Sequence, residues 1–197
     1  MARIAPLKRS ELEEFEPFFQ IVEQVMGFVP NSMLTMGRRP DILRGFTALT
    51  APVLGPGKIS AELKQLIAFV SSNASGCRYC QAHTSSSAKR AGASQEKIDA
   101  AFDYAASPLF SEAERAALAL ANDASLVPNA ASDAHFEALA RHYGDEEIVE
   151  IVAVIALFGW LNRWNDTMAT ALEDEPSAFA AQNLGSRGWK IGPHATR

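Results

Sequence analysis

Apolar residues recur every three or four positions along almost the whole chain, and nowhere does the two-residue alternation of a half-buried strand replace them. This confines the chain to packed helices. Ser10 and Glu13 have capping-box spacing ahead of Phe15, Phe18, Phe19, Val22 and Met26, which predicts a first helix ended by Gly27 and Pro30. A short helix is expected over residues 31–38, and Pro40-Asp41 opens another that runs to about Leu54. Ser60 can cap a helix from Ala61 to about Ser71, with Leu63, Leu66, Ile67 and Val70 as its apolar stripe. Residues 73–76 interrupt, a new helix begins near Cys77 and ends at Gly92, and Ser94 starts the next. Ser111 with Glu114 repeats the capping box, LVPNAAS makes a turn, and Ser132 or Asp133 starts a further helix. Asp145, with Glu146 and Glu147 in its first turn, opens a long helix to about Leu172. After Glu175 the prolines and glycines predict an irregular tail, either an arm on a neighbouring subunit or a loose end. The expected organisation is a lead-in over 1–14, one all-α bundle over 15–174 and a tail over 175–197.

At 197 residues the chain is long enough for one substantial core, and 48% hydrophobic with 21% charged residues is ordinary globular composition. A formal charge of -5 and a pI near 5.4, with no basic stripe, argue against nucleic acid as a partner. The longest apolar run, residues 151–161, falls well short of the roughly 20 residues needed to cross a bilayer, so no membrane role is expected. The N-terminal stretch MARIAPLKRSELEEFEPFF turns charged too soon for a secretory signal. Both cysteines fall in one C-x-x-C, which gives no disulfide framework of the secreted kind and points to a reducing cytoplasm.

The segment SNASGCRYCQAHTSSSAKRAG carries the chemistry. Cysteines at i and i+3 of a helix have Cα atoms about 5 Å apart, inside the window a disulfide accepts, so Cys77 and Cys80 can cycle. A helix start just after Gly76 brings unsatisfied N–H groups and the positive end of the helix dipole to the sulfurs, favouring thiolate. His83, close to one turn beyond Cys80, is placed to accept or donate a proton at that sulfur. Oxidation of one thiolate to a sulfenic acid would be trapped by its neighbour as a disulfide. Zinc is the competing reading, with Cys77, Cys80 and His83 as three ligands but no fourth in the pattern. An inert buried pair is another. A thioredoxin-type site requires strands that this sequence lacks. His135, His142 and His194 are expected to be exposed and without a role. Asn162, Arg163, Asn165 and Asp166 form a polar cluster, with Arg163 and Asp166 spaced for an ion pair on a helix surface or a subunit interface, the alternative being a role lining the thiol pocket.

The run ELKQLIAFVSSNASGCRYCQAH resembles the core of the AhpD-like alkylhydroperoxidases in the carboxymuconolactone decarboxylase superfamily. GFVPNSMLTMGRRPDILRGF resembles the family's upstream segment and DEEIVEIVAVIALFGWLNRWND its downstream helix, so the resemblance covers most of residues 15–172. It implies an AhpD-like helical bundle, assembled as a homotrimer or hexamer, that reduces organic hydroperoxides and is recharged by a dithiol or a small redox protein. No bound cofactor or metal is expected. In the family pattern the second cysteine attacks and the first resolves, which assigns those roles to Cys80 and Cys77, whereas the helix argument makes Cys77 the more acidic thiol. The family's proton relay is incomplete, because Gln65, Tyr79 and Thr84 stand where the pattern has glutamate, histidine and histidine. A displaced His83 remains, Gln65, Tyr79 and Thr84 are kept as supporting residues, and Glu62, one turn before Gln65, is either a further support or, as the better reading, an exposed first-turn glutamate. A lactone decarboxylase and a noncatalytic oligomer are the alternatives.

Overall fold

The structure, a computed structural model, describes residues 2–196. Its helices are α1 (Glu16–Met26), α2 (Asn31–Met36), α3 (Pro40–Leu54), α4 (Ala61–Ser75), α5 (Arg78–Arg90), α6 (Gln95–Ala100), α7 (Glu112–Ala124), α8 (Asp133–Leu139), α9 (Asp145–Met168) and α10 (Asp174–Leu184). Short 3-10 turns join some of them, and the described residues contain no strand. The chain is one all-helical domain.

The periodicity sets the middle of each helix, while local chemistry sets its ends. Ser60 accepts the Leu63 N–H, and Ser111 with Glu114 closes a reciprocal capping box at the start of α7. At the first helix the expectation fails. Ser10 falls within a 3-10 turn, and α1 begins at Glu16, because Pro17 lacks an N–H and is best placed in a first turn. Arg9 then ties that entry down by reaching Glu16 and Glu23.

Helix α4 is the centre of the bundle. Leu66 through Ser72 are buried in succession, so every face of the helix is covered, by α5, α7 and α9. Helix α5 is buried as fully although its sequence is polar: Gln81, His83, Thr84, Ser85 and Ser86 all lie inside. Burial of such groups is tolerable only when they are hydrogen-bonded. Thr84 donates to the Cys80 carbonyl at 2.7 Å, Ser85 to the Ala82 carbonyl at 3.1 Å and the Gln81 amide to the Ser72 carbonyl at 3.4 Å. A polar helix at the centre of an apolar bundle is poor use of core volume, and it marks α5 as the place where chemistry is kept.

The stretch after Glu175, expected to be irregular, instead opens with α10. Pro176 sits in the first turn, where its fixed φ suits a helix, and Ala180 and Leu184 bury the inner face against α5 and α6. Beyond α10, Trp189 is buried and donates from Nε1 to the Arg78 carbonyl at 3.1 Å. The backbone N–H of Leu172 donates to the His194 carbonyl at 2.8 Å. The last residues are therefore folded over the beginning of α5.

Candidate active site

Gly76 ends α4 with a left-handed backbone, φ 76°, and turns the chain sharply into α5. Cys77 follows in extended conformation as the N-cap of α5, its Sγ accepting the Cys80 N–H at 3.5 Å. Cys80 lies in the first turn of the helix, where Asn165 of α9 donates from Nδ2 to its Sγ at 3.4 Å. Both cysteines are free thiols, 0% and 3% exposed.

The helix N-terminus does not leave Cys77 an acidic thiol. Its ionisation is pushed far up, first by hydrogen bonding to the Cys80 sulfur, then by burial and by repulsion from a charge on Cys80, with His194 pulling the other way. The desolvation of a sealed sulfur outweighs the few backbone dipoles that face it. Cys77 is thus held as the protonated partner.

Sequence reasoning placed His194 at the surface, and the structure corrects this. The imidazole is fully buried, with Nδ1 donating to the Thr170 carbonyl at 2.8 Å and Nε2 directed at Asp166 Oδ1, 3.2 Å away. A ring nitrogen of His194, an oxygen of Asp166 and the Cys77 sulfur lie within 4.8 Å of one another. Arg163, expected to pair with Asp166, has no recorded ion pair among the described residues; the carboxylate turns to His194 instead. The tail nevertheless carried a signal: Trp189, Ile191 and Pro193 are apolar or rigid residues of a kind that loose ends seldom concentrate.

Burial works to lower the His194 pKa, but the hydrogen bond to Asp166, the Cys77 sulfur and the Thr170 carbonyl together raise it to about 9 from the ordinary 6.5. A histidine with a raised pKa stabilises the fold fully below pH 6.5, and that contribution is lost as pH rises through about 9. Since Asp166 is 44% exposed, the effect is discounted for solvent screening to about 2 kcal/mol. Urea midpoints measured from pH 6 to 10 should therefore fall more steeply for the native chain than for His194→Gln; parallel curves would contradict the pairing.

His83 lies in a second cluster. Its Nε2 is 2.6 Å from Glu173 Oε2, its ring stacks on Tyr79 with centroids 4.3 Å apart, and it has no recorded hydrogen bond to either sulfur. The set Cys77, Cys80 and His83 considered for zinc is not brought together: among the described residues the ligand atoms that gather around the Cys77 sulfur belong to Asp166 and His194, and His83 Nε2 faces Glu173. Tyr79 donates from its hydroxyl to Glu173 Oε1 at 2.9 Å, and its ring lies 5.7 Å from that of His194. Burial, and next the charge of Glu173, push its phenol well above the usual range. Thr84 is a backbone cap inside α5. Glu62 is bound to Lys97, which also holds Glu114, and Gln65 is half-buried on α4; neither has a recorded contact with the sulfurs. Of the supporting residues, only Tyr79 lies beside the groups that surround Cys77.

An open cleft of about 910 Å³ runs along α9. Ser75, Ser125, Trp160, Asn162, Arg163 and Asp166 contribute to its wall. Asn162 is 3% exposed, yet both ends of its amide lack a partner among the described residues. Buried amides are rarely left so. The polar cluster of α9 therefore reaches the sulfurs through Asn165 and Asp166 and the cleft through Asn162 and Asp166.

Residues 40–123 match the sequence profile of the Carboxymuconolactone decarboxylase family. Among solved structures, a cysteine-to-alanine variant of the debrominase Bmp8 in complex with 2,3,4-tribromopyrrole is 41% identical, covers 92% of this chain and 97% of its own, and superposes with a TM-score of 0.87. The chain belongs to this family. An AhpD-core, peroxidase-related protein from Ralstonia eutropha JMP134 is 27% identical over 89% of this chain and 94% of its own, with a TM-score of 0.78. YnjA of Escherichia coli (strain K12) is 36% identical over 92 residues, which spans 47% of this chain and half the length of that protein. Membership of the AhpD-like superfamily agrees with a helical bundle in which α4, the Gly76 turn and the C-x-x-C form the central hairpin. No helix among the described residues is long and apolar enough to cross a membrane.

Proposed function

We propose that this chain is a dithiol oxidoreductase that reduces small electrophilic molecules, with Cys80 attacking and Cys77 resolving. The observation that carries the reading is the pairing of the two cysteines at the start of α5, where the Cys77 sulfur caps the helix by accepting the Cys80 N–H and the Asn165 amide meets the Cys80 sulfur. With a hydroperoxide, the Cys80 thiolate attacks the terminal oxygen, the O–O bond breaks, and the departing alkoxide takes a proton to become an alcohol. Cys77 then attacks the sulfenic sulfur, a disulfide forms and water leaves. Two electrons pass from the thiols to the peroxide, and an external dithiol restores the pair by exchange.

Halogenated aromatics are a second substrate class, favoured by the resemblance to a debrominase over almost the whole of both chains. The electron balance is the same: two thiols become a disulfide while a carbon–halogen bond is replaced by carbon–hydrogen and halide leaves. The mixed lining of the cleft suits a flat molecule with one polar edge. Lactone decarboxylation transfers protons without oxidising sulfur, so it would leave the dithiol unused.

Purified protein supplied with dithiothreitol should consume cumene hydroperoxide or release bromide from a tribromopyrrole, with the Cys77–Cys80 disulfide seen by mass spectrometry during turnover. Peroxide loss alone assigns the first class, and bromide release alone the second. A pair that stays reduced with both substrates, or turnover of a carboxymuconolactone instead, would overturn the reading.

A further inference from the structure

The AhpD-like pattern supplies protons from α4 and α5, but Gln65, Tyr79 and Thr84 are poor replacements for that relay: an amide, a phenol held well above its usual range and a hydroxyl spent on a backbone carbonyl. A protonated Cys77 cannot attack until it loses its proton. Something must take it.

We propose that His194, supplied by the C-terminal segment, is the catalytic acid and base for Cys77, and that Asp166 is the residue that positions it. The inference rests on the reading of the cysteines as a cycling dithiol. Three observations carry it. Thr170 fixes the ring by accepting from Nδ1, which leaves Nε2, the nitrogen that meets the Asp166 carboxylate, as the one able to take up and release a proton. The Cys77 sulfur, the ring and Asp166 lie within 4.8 Å of one another inside the protein. Asp166 is at once a partner of the buried ring and part of the cleft wall, so a proton can move between the ring and solvent without opening the fold. The titratable groups facing the imidazole are Cys77 and Tyr79 from the start of α5 and Asp166 from α9, with Cys80 behind Cys77.

The steps balance. The imidazolium first gives its proton, by way of Asp166 and the cleft, to the alkoxide or to solvent. The neutral ring then accepts the Cys77 proton as that sulfur attacks Cys80, and returns it to the hydroxide expelled from the sulfenic acid, forming water. When an external dithiol reopens the disulfide, the second proton it releases recharges the ring.

The test separates closure from the choice of substrate. An aromatic disulfide such as dithiobis(nitrobenzoate) forms a mixed disulfide with Cys80 and releases one coloured thiolate; attack by Cys77 then closes the Cys77–Cys80 bond and releases a second, which times the step directly. His194→Ala should slow this second phase roughly 100-fold while leaving the first little changed, and added imidazole should restore part of the rate. In the native chain the second phase should climb with pH toward about 9, and in Asp166→Asn the climb should move to lower pH by about one unit. His194→Gln, checked by circular dichroism, guards against a folding defect. A folded His194→Ala that closes at the native rate overturns the inference, as does a slowed closure that imidazole leaves unimproved, or a native chain with no second phase. Should closure depend on His194 while neither hydroperoxide nor bromopyrrole is consumed, the proposed function falls and this inference stands; the converse result would remove this inference alone.

Discussion

Cys80→Ser is expected to lower turnover by on the order of 10³-fold or more, whereas Cys77→Ser should complete the first half-reaction once and stop with a sulfenate on Cys80. The two sulfurs are close neighbours, yet their surroundings make them unequal. Cys77 is the helix cap, sealed from solvent and held protonated by its neighbour and by burial, so it cannot begin a reaction that needs a thiolate. Cys80 lies on the α9 side of the turn, where the Asn165 amide donates to its sulfur. Dimedone trapping followed by mass spectrometry reads the difference: one labelled site, at Cys80, in Cys77→Ser after peroxide, and none in Cys80→Ser. A label at Cys77 in the latter, with turnover retained, would exchange the two roles. Asn165→Leu, which removes the donor at similar volume, should slow sulfenate formation and spare closure.

The architecture was legible because it depends on periodicity and punctuation, which are local. Ser60, Gly76, Ser111 and Gly92 act in the structure as the sequence implies, each through a hydrogen bond or a backbone conformation confined to a few neighbouring residues. Where a longer-range partner decides, reading the sequence fell short. His83 was assigned to Cys80 from its spacing, but its imidazole nitrogen is held by Glu173, ninety residues away and at the entry to a helix that the prolines and glycines concealed. Helix position alone favours Cys77 as an acidic thiol against the family pattern, an argument that counts dipoles and omits what the Cys80 sulfur and burial do to Cys77. His194 was missed because its importance arises from the C-terminal segment folding back over α5, and no local pattern reports that. The polar cluster of α9 was noticed, yet only the packing reveals that Asn165 and Asp166 serve different sulfurs.

Glu173→Gln is expected to destabilise the fold by about 3–5 kcal/mol, a large share of the 5–15 kcal/mol that holds a domain together. Its carboxylate joins three separate parts of the chain at the site: Oε1 accepts the Tyr79 hydroxyl at 2.9 Å and the Asn31 backbone N–H at 2.5 Å, and Oε2 meets His83 Nε2 at 2.6 Å. A glutamine there keeps the volume but turns an NH2 group toward at least one donor, which leaves a buried group unsatisfied. Burial pushes the Glu173 carboxyl upward, but the charge and hydrogen bond of His83 and the Asn31 N–H outweigh it and hold the pKa below its ordinary 4.5. A depressed carboxylate stabilises the fold above pH 4.5 and loses that contribution as pH falls through its lowered value, so the gap between native and Glu173→Gln proteins should be full at neutral pH and narrow under acid. Urea unfolding at pH 7 and pH 3.5 measures both points. A shift below about 1 kcal/mol at pH 7 would mean that the cluster is as weak as an exposed ion pair. Because α10 and the residues after it pack from this point over the start of α5, the same variant should also slow the closing step governed by His194, linking the stability of the C-terminal segment to the chemistry it delivers.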